Sequence, residues 1–268
     1  MTISLICILI ICGILTNLMS ALFGIGGGVL MVPTLHTLFP DIPLQMVAAT
    51  SLTIVMGTAL INLISFHKQQ IKINMRSMLL WSVGMIIGVQ AGFEISFLVA
   101  DWIIITVFVV TLLILALKTF LTSPYKTAIK EGEKIPNDTW KGIGVCLFGG
   151  SVAGMTGIGG GSIMAPLVNQ LPSVKPHQVS AYTNWMMVIG GLGSLYGYLS
   201  KTPSIHLANS WQIGYVNFSI VSIVVISSFV MSFFSMKIRG VLKPKLANTL
   251  LGLILLVIAL YMVVLQFI

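Results

Sequence analysis

The chain has 268 residues, of which 57% are hydrophobic and only 7% charged, and its mean hydropathy is +1.04. Soluble domains carry about 25% charged residues because water-facing surface must be solvated, so this composition excludes a soluble globule and predicts a polytopic membrane protein. The 14 Lys and Arg outnumber 6 Asp and Glu, but they flank apolar runs instead of forming a stripe or tail, which excludes nucleic acid as a partner.

Runs near the ~20 residues that cross a bilayer follow one another along the chain. They are Ile3–Phe23, Leu44–Phe66, Ser77–Leu98, Trp102–Leu121, Lys141–Thr156, Gln178–Leu199, Ile213–Met236 and Leu246–Ile268. The fifth is short and reaches full length only by adding Ile163–Leu171, beyond a glycine cluster; Leu30–Leu38 is its counterpart in the first half. The one substantial hydrophilic stretch, 122–139, reads as an exposed linker. The predicted fold is therefore all-α, with about eight transmembrane helices in two homologous four-helix repeats, 1–121 and 140–268. Each repeat opens with a glycine-broken helix continued by a half-helix that ends near Pro40 or Pro172.

The repeat is explicit. Gly24-Ile25-Gly26-Gly27-Gly28 recurs as Gly157-Ile158-Gly159-Gly160-Gly161, an offset of 133 residues. Without a gap, Met31, Pro33, Leu38, Pro43, Gln45, Ala48, Thr50, Val55 and Gly57 also match their counterparts, making 14 identities in 34 positions. Duplicated, interrupted hydrophobic segments are the sequence pointer to a transporter and its binding site.

Four glycines in five residues disfavour a continuous helix by about 0.8–1 kcal/mol each. In lipid an unwound backbone survives only where protein, water or ligand satisfies it. Half-helices starting at Val29 and Ser162 would aim amide groups and a positive dipole end at the break, so paired breaks suit an anion. The competing role, tight helix crossing, is the expected one for Gly84, Gly88 and Gly92, which share one helix face. A nucleotide loop is excluded because Val29 stands where the third glycine belongs. Gln45 and Gln178 follow prolines at helix starts, where they either cap or bind ligand. Thr50, Ser51, Thr183 and Asn184 lie one to two turns further in, with Asn17 and Ser20 ahead of the first break. Their hydroxyls and amides can donate to a dehydrated oxyanion, or join helices.

The candidate substrate-binding set is Gly24, Gly26, Gly27, Gly28, Gln45, Thr50, Ser51, Gly157, Gly159, Gly160, Gly161, Gln178, Thr183 and Asn184. No HExxH or GxSG motif supports an enzyme, and Cys7, Cys12 and Cys146 lack metal-ligand or redox spacing. No metal or cofactor is predicted. Glu94 is the one acidic residue expected inside a span, and Lys118 is expected to extend to the surface. His36 and His177 are candidates for proton coupling, though neither is matched in the other repeat. In an eight-helix count the Lys and Arg divide 9 to 5, which places both termini in the cytoplasm.

The paired glycine motifs with their following prolines, Pro-x-Gln before Ala-x-Thr, and Gly214-Tyr215-Val216-Asn217 resemble the TauE/SafE family of sulfite exporters and toluene-sulfonate uptake permeases. The resemblance extends from Ile3 to the C-terminus. It implies a carrier in the bacterial inner membrane that moves sulfite, sulfonates or related small organic anions by alternating access, driven by a proton or sodium gradient. One departure is the bulkier Ser227-Ser228-Phe229 and Ser232-Phe233-Phe234, where family members often keep glycine-rich packing. An anion channel and a non-transporting assembly partner remain the alternatives, and the sequence specifies no oligomeric state.

Overall fold

The computed structural model describes residues 2–23, 27–68, 71, 73–121, 138–203, 205–207, 210–238 and 244–267. In the first half, α1 (Ile3–Phe23) and α2 (Gly28–Leu38) flank the glycine motif, followed by α3 (Leu44–Lys68), α4 (Met75–Ser96) and α5 (Asp101–Leu121). In the second, α6 (Thr139–Thr156) and α7 (Gly160–Val168) flank the motif. A 3-10 turn at Pro176–Gln178 then leads to α8 (Val179–Ser200), a two-stranded ribbon of β1 (Gln212–Ile213) and β2 (Val216–Asn217), α9 (Phe218–Ile238) and α10 (Pro244–Leu265). The protein is an all-helical, polytopic membrane protein.

Among the described residues, six helices, α1, α3, α4, α5, α9 and α10, are long and apolar enough to cross a membrane. At 18 and 22 residues α6 and α8 are long enough, but glycines and polar side chains dilute them and they fall outside that set. Helix starts follow local chemistry. The Asn74 side chain accepts from the amides of Arg76 and Ser77 and caps α4. The seventh run begins later than expected, at Phe218 instead of Ile213. Gly214, at φ +55°, turns the chain so that Gln212 pairs with Asn217, and Asn217 Oδ1 accepts from the Ile220 amide at the start of α9.

The largest departure from the sequence expectation lies at the glycine breaks. They do not interrupt one continuing helix; they reverse it. Cys12 Sγ lies 4.0 Å from Thr34 Oγ1, so α2 runs back along α1. Straight continuation would separate residues 22 apart by about 33 Å at 1.5 Å per residue. In the second half a Cβ built on Gly149 would lie 2.9 Å from Leu167 Cδ1, so α7 likewise folds back on α6. The reversal is encoded in Gly157 (φ +74°) and Gly159 (φ +82°), backbone conformations that L side chains rarely adopt.

The hairpins enter from opposite ends of the helix bundle. Gln45 at the start of α3 donates to the Ser96 carbonyl at the end of α4, and Lys201 after α8 pairs with Glu94. Thr37 near the end of α2 meets Tyr261 near the end of α10. These contacts define one face, here the terminal face, where α1 and α2 form their open end. The Asn74 amide donates to Tyr182 Oη near the start of α8, Trp81 lies against Gly142 of α6, and the Ser173 amide donates to Asp138. These define the opposite, linker face, from which the α6–α7 hairpin enters. Between the faces, α1 packs on α9 and α6 on α4; α3 packs on α9 and α8 on α4; α5 packs on α10 and α3 on α8. Gly84, Gly88 and Gly92 all face the α6 backbone, the packing role expected of them.

Candidate functional site

The two hairpin tips meet. A Cβ on Gly28 would overlap the Ile158 carbonyl, and one on Gly159 would lie 3.3 Å from Gly28 Cα and 2.8 Å from Val55 Cγ2. Only glycine permits this approach of main chain to main chain. Gly27, Gly28, Gly157, Gly159, Gly160 and Gly161 are all buried. Gly24 and Gly26 lie outside the described residues. Gly27 and Gly159 are the N-caps of α2 and α7, and neither helix start has a side-chain cap. With glycine at each N-cap, both half-helices present positive N-terminal ends toward one buried region beside the middle of α3.

Polar side chains cluster on two levels of the bundle, at the second glycine break and nearer the linker face. Ser51, fully buried on α3, donates to the Gly157 carbonyl at 2.8 Å and so ties α3 to the second break. On the linker side, the Asn62 amide donates to Ser20 Oγ at 2.9 Å and to Asn184 Oδ1 at 3.2 Å, joining α1, α3 and α8. Asn184 in turn donates to the Ser180 carbonyl. Near this cluster, Ser235 on α9 donates to Asn17 Oδ1 on α1 at 2.6 Å. Thr16, whose methyl packs on Gly27, is fully buried with its hydroxyl unpaired. All these groups are neutral hydroxyls and amides. They can hydrogen-bond an anion without a fixed opposite charge to hold it.

The remaining expected site residues are engaged elsewhere. Gln45 bridges to Ser96, and Gln178 Oε1 accepts from the Lys175 amide in the turn before α8. These repeat-related glutamines hold different local structures. Thr183 donates to its own helix at Ser180. Thr50 donates to the Tyr215 carbonyl and accepts from the Asn217 amide, so it anchors the ribbon on the terminal face to α3. Tyr215 then stacks edge-on against Phe93 and Phe97, with Lys201 Nζ 4.1 Å from the Phe97 ring centroid. Glu94 is thus a half-exposed partner of Lys201 at a helix end. Lys118 Nζ donates to the Pro166 carbonyl on α7, where extension to the surface was expected. His177 is exposed before α8 and His36 is half-buried in α2. Asn62 carries no signal in the repeat, because Leu195 stands at the corresponding position.

The sequence profile of the family described as Sulfite exporter TauE/SafE matches residues 9–262. A "Probable membrane transporter protein" of Haemophilus influenzae is 54% identical over 268 residues, covering 100% of this chain and 99% of the relative. "Probable membrane transporter protein MJ0441" of Methanocaldococcus jannaschii is 27% identical over 265 residues, covering 95% and 94%. "Probable membrane transporter protein YunE" of Bacillus subtilis is 26% identical over 220 residues, covering 75% and 79%. No solved structure matches the chain.

Proposed function

This chain belongs to the TauE/SafE family of membrane transporters, and from that premise we propose that it is a secondary transporter of small sulfur-containing or organic anions, with sulfite first among them. The anion binds beside the meeting hairpin tips, and parting of the tips admits it. The observation that carries this reading is the meeting of two oppositely entering half-helix starts, at Gly28 and Gly159, with no side-chain caps. A desolvated oxyanion is stabilised by such helix ends and by neutral donors. Ser51, Asn62, Asn184, Ser20 and the main chain at Gly27, Gly28, Gly157, Gly159, Gly160 and Gly161 supply the contacts.

The two halves are inverted copies. Exchanging them maps α1 on α9 to α6 on α4, and α3 on α9 to α8 on α4, while α5 on α10 and α3 on α8 map to themselves. Each half then contributes one re-entrant hairpin and three crossings, α3, α4, α5 and α8, α9, α10, in place of four. Because each hairpin belongs to one face, parting one hairpin from the tip contact opens the site to that face alone. Alternating access follows from parting them in turn. An ion gradient, of protons or sodium, drives the cycle in the bacterial inner membrane. The test is flux of sulfite, thiosulfate, taurine and sulfoacetate into proteoliposomes, with and without a pH or sodium gradient. Saturable, gradient-stimulated movement of one of these anions is expected. No movement of any by folded protein overturns the substrate class.

A further inference from the structure

The hairpins change which face each charged segment belongs to. Connectivity from the helix ends places Lys68 and Arg76 at the linker face, with Lys118 and Lys141 near the helix ends that flank the linker. Lys175 precedes α8 on the same face. Lys237 near the end of α9 and Lys245 near the start of α10 join it, because α10 ends beside Thr37 on the terminal face. Among the described residues, seven cations therefore stand at the linker face against Asp138, net +6. The terminal face holds Lys201 alone against Asp41, Glu94 and Asp101, net −2. An eight-helix count divided all 14 Lys and Arg of the sequence 9 to 5 because it made each opening unit a crossing. That gave the wrong parity to the start of α1 and to everything after α7.

From this asymmetry we propose that the linker face is the cytoplasmic face, lying against the anionic lipid headgroups of that leaflet, and that the start of α1 and the end of α10 face outward. Lys and Arg in short loops are retained on the cytoplasmic side and attracted to anionic lipid, and each connecting segment here is well under the ~60 residues over which that bias operates. Lys201 on the outer face is compensated in place by Glu94 at its ammonium. This orientation replaces the cytoplasmic termini expected from the sequence. It is independent of whether the protein is a carrier, a channel or neither.

Single cysteines in the full-length protein test it, with Cys7 and Cys12 replaced by Ala and the buried Cys146 kept. Leu98→Cys and Phe267→Cys probe exposed positions of the terminal face; Arg76→Cys and His177→Cys probe the linker face. A membrane-impermeant maleimide is applied to right-side-out and to inverted membrane vesicles. Leu98→Cys and Phe267→Cys should be labelled in right-side-out vesicles and protected in inverted ones, with the opposite result for Arg76→Cys and His177→Cys. Two positions per face keep the test intact if one variant does not fold. The reverse pattern, or labelling of one position from both sides, overturns the proposal.

Discussion

Replacing Gly159 by alanine tests whether the hairpin tip depends on main-chain geometry. Gly159 sits at φ +82° and ψ 130°, a combination close to the glycine-only region, where a side chain costs about 1–3 kcal/mol. The new Cβ would also lie 2.8 Å from Val55 Cγ2, but a side-chain methyl can give way by a few tenths of an ångström, so backbone strain is the larger effect. Gly144→Ala is the control: it lies inside α6 with nothing within 4 Å of a built Cβ, and alanine favours helix there by up to about 1 kcal/mol. Unfolding in mixed detergent micelles should show Gly159→Ala destabilised by about 1–3 kcal/mol, with sulfite flux reduced in parallel. Gly144→Ala should be neutral or slightly more stable. Adding Val55→Ala to Gly159→Ala should leave a coupling energy below about 0.5 kcal/mol. Full rescue by Val55→Ala, or a Gly159→Ala protein as stable and active as the parent, refutes the strain argument.

Three further substitutions separate structural from functional roles. Ser51→Ala removes the donor to the Gly157 carbonyl, and should cost about 1–3 kcal/mol as that buried acceptor loses its partner, measured by the same unfolding assay. Thr50→Val should release the ribbon from α3 and increase amide exchange in a peptide covering 210–217, while exchange in α5 stays unchanged. Asn62→Leu should abolish flux while a double-mutant cycle with Asn184 gives a modest coupling of about 0.6 kcal/mol, the common size for interhelical hydrogen bonds in membranes.

Much of the fold was legible because lipid leaves the chain few options. Ile3–Phe23 coincides with α1, and Trp102–Leu121 misses α5 by one residue. The duplicated glycines marked both hairpins. What they could not reveal is direction, because a break that continues a helix and a break that reverses it share the same local composition. The reversal is decided by distant partners, Thr34 against Cys12 and Leu167 against Gly149. The polar site was legible in part for the same reason. Ser51 meets the Gly157 carbonyl while Asn184, at the repeat-related position, meets Asn62, whereas Gln45 and Gln178 share a motif and bond to Ser96 and to Lys175. Asn62 has no repeat mate, and only the arrival of α1 and α8 at its amide brings it together with Ser20 and Asn184. The ribbon before α9 was hidden inside an apolar run because Ile213 and Val216 satisfy a span and a strand equally well.

Counterflow tests the central claim most directly. Proteoliposomes loaded with excess unlabelled sulfite are diluted into a trace of labelled sulfite, and internal label is followed over time. A carrier whose central site faces one side at a time predicts a transient accumulation of label above its equilibrium level, slower and smaller in Gly159→Ala. Monotonic equilibration without an overshoot, at a rate that does not saturate with sulfite, contradicts alternating access between the hairpin tips.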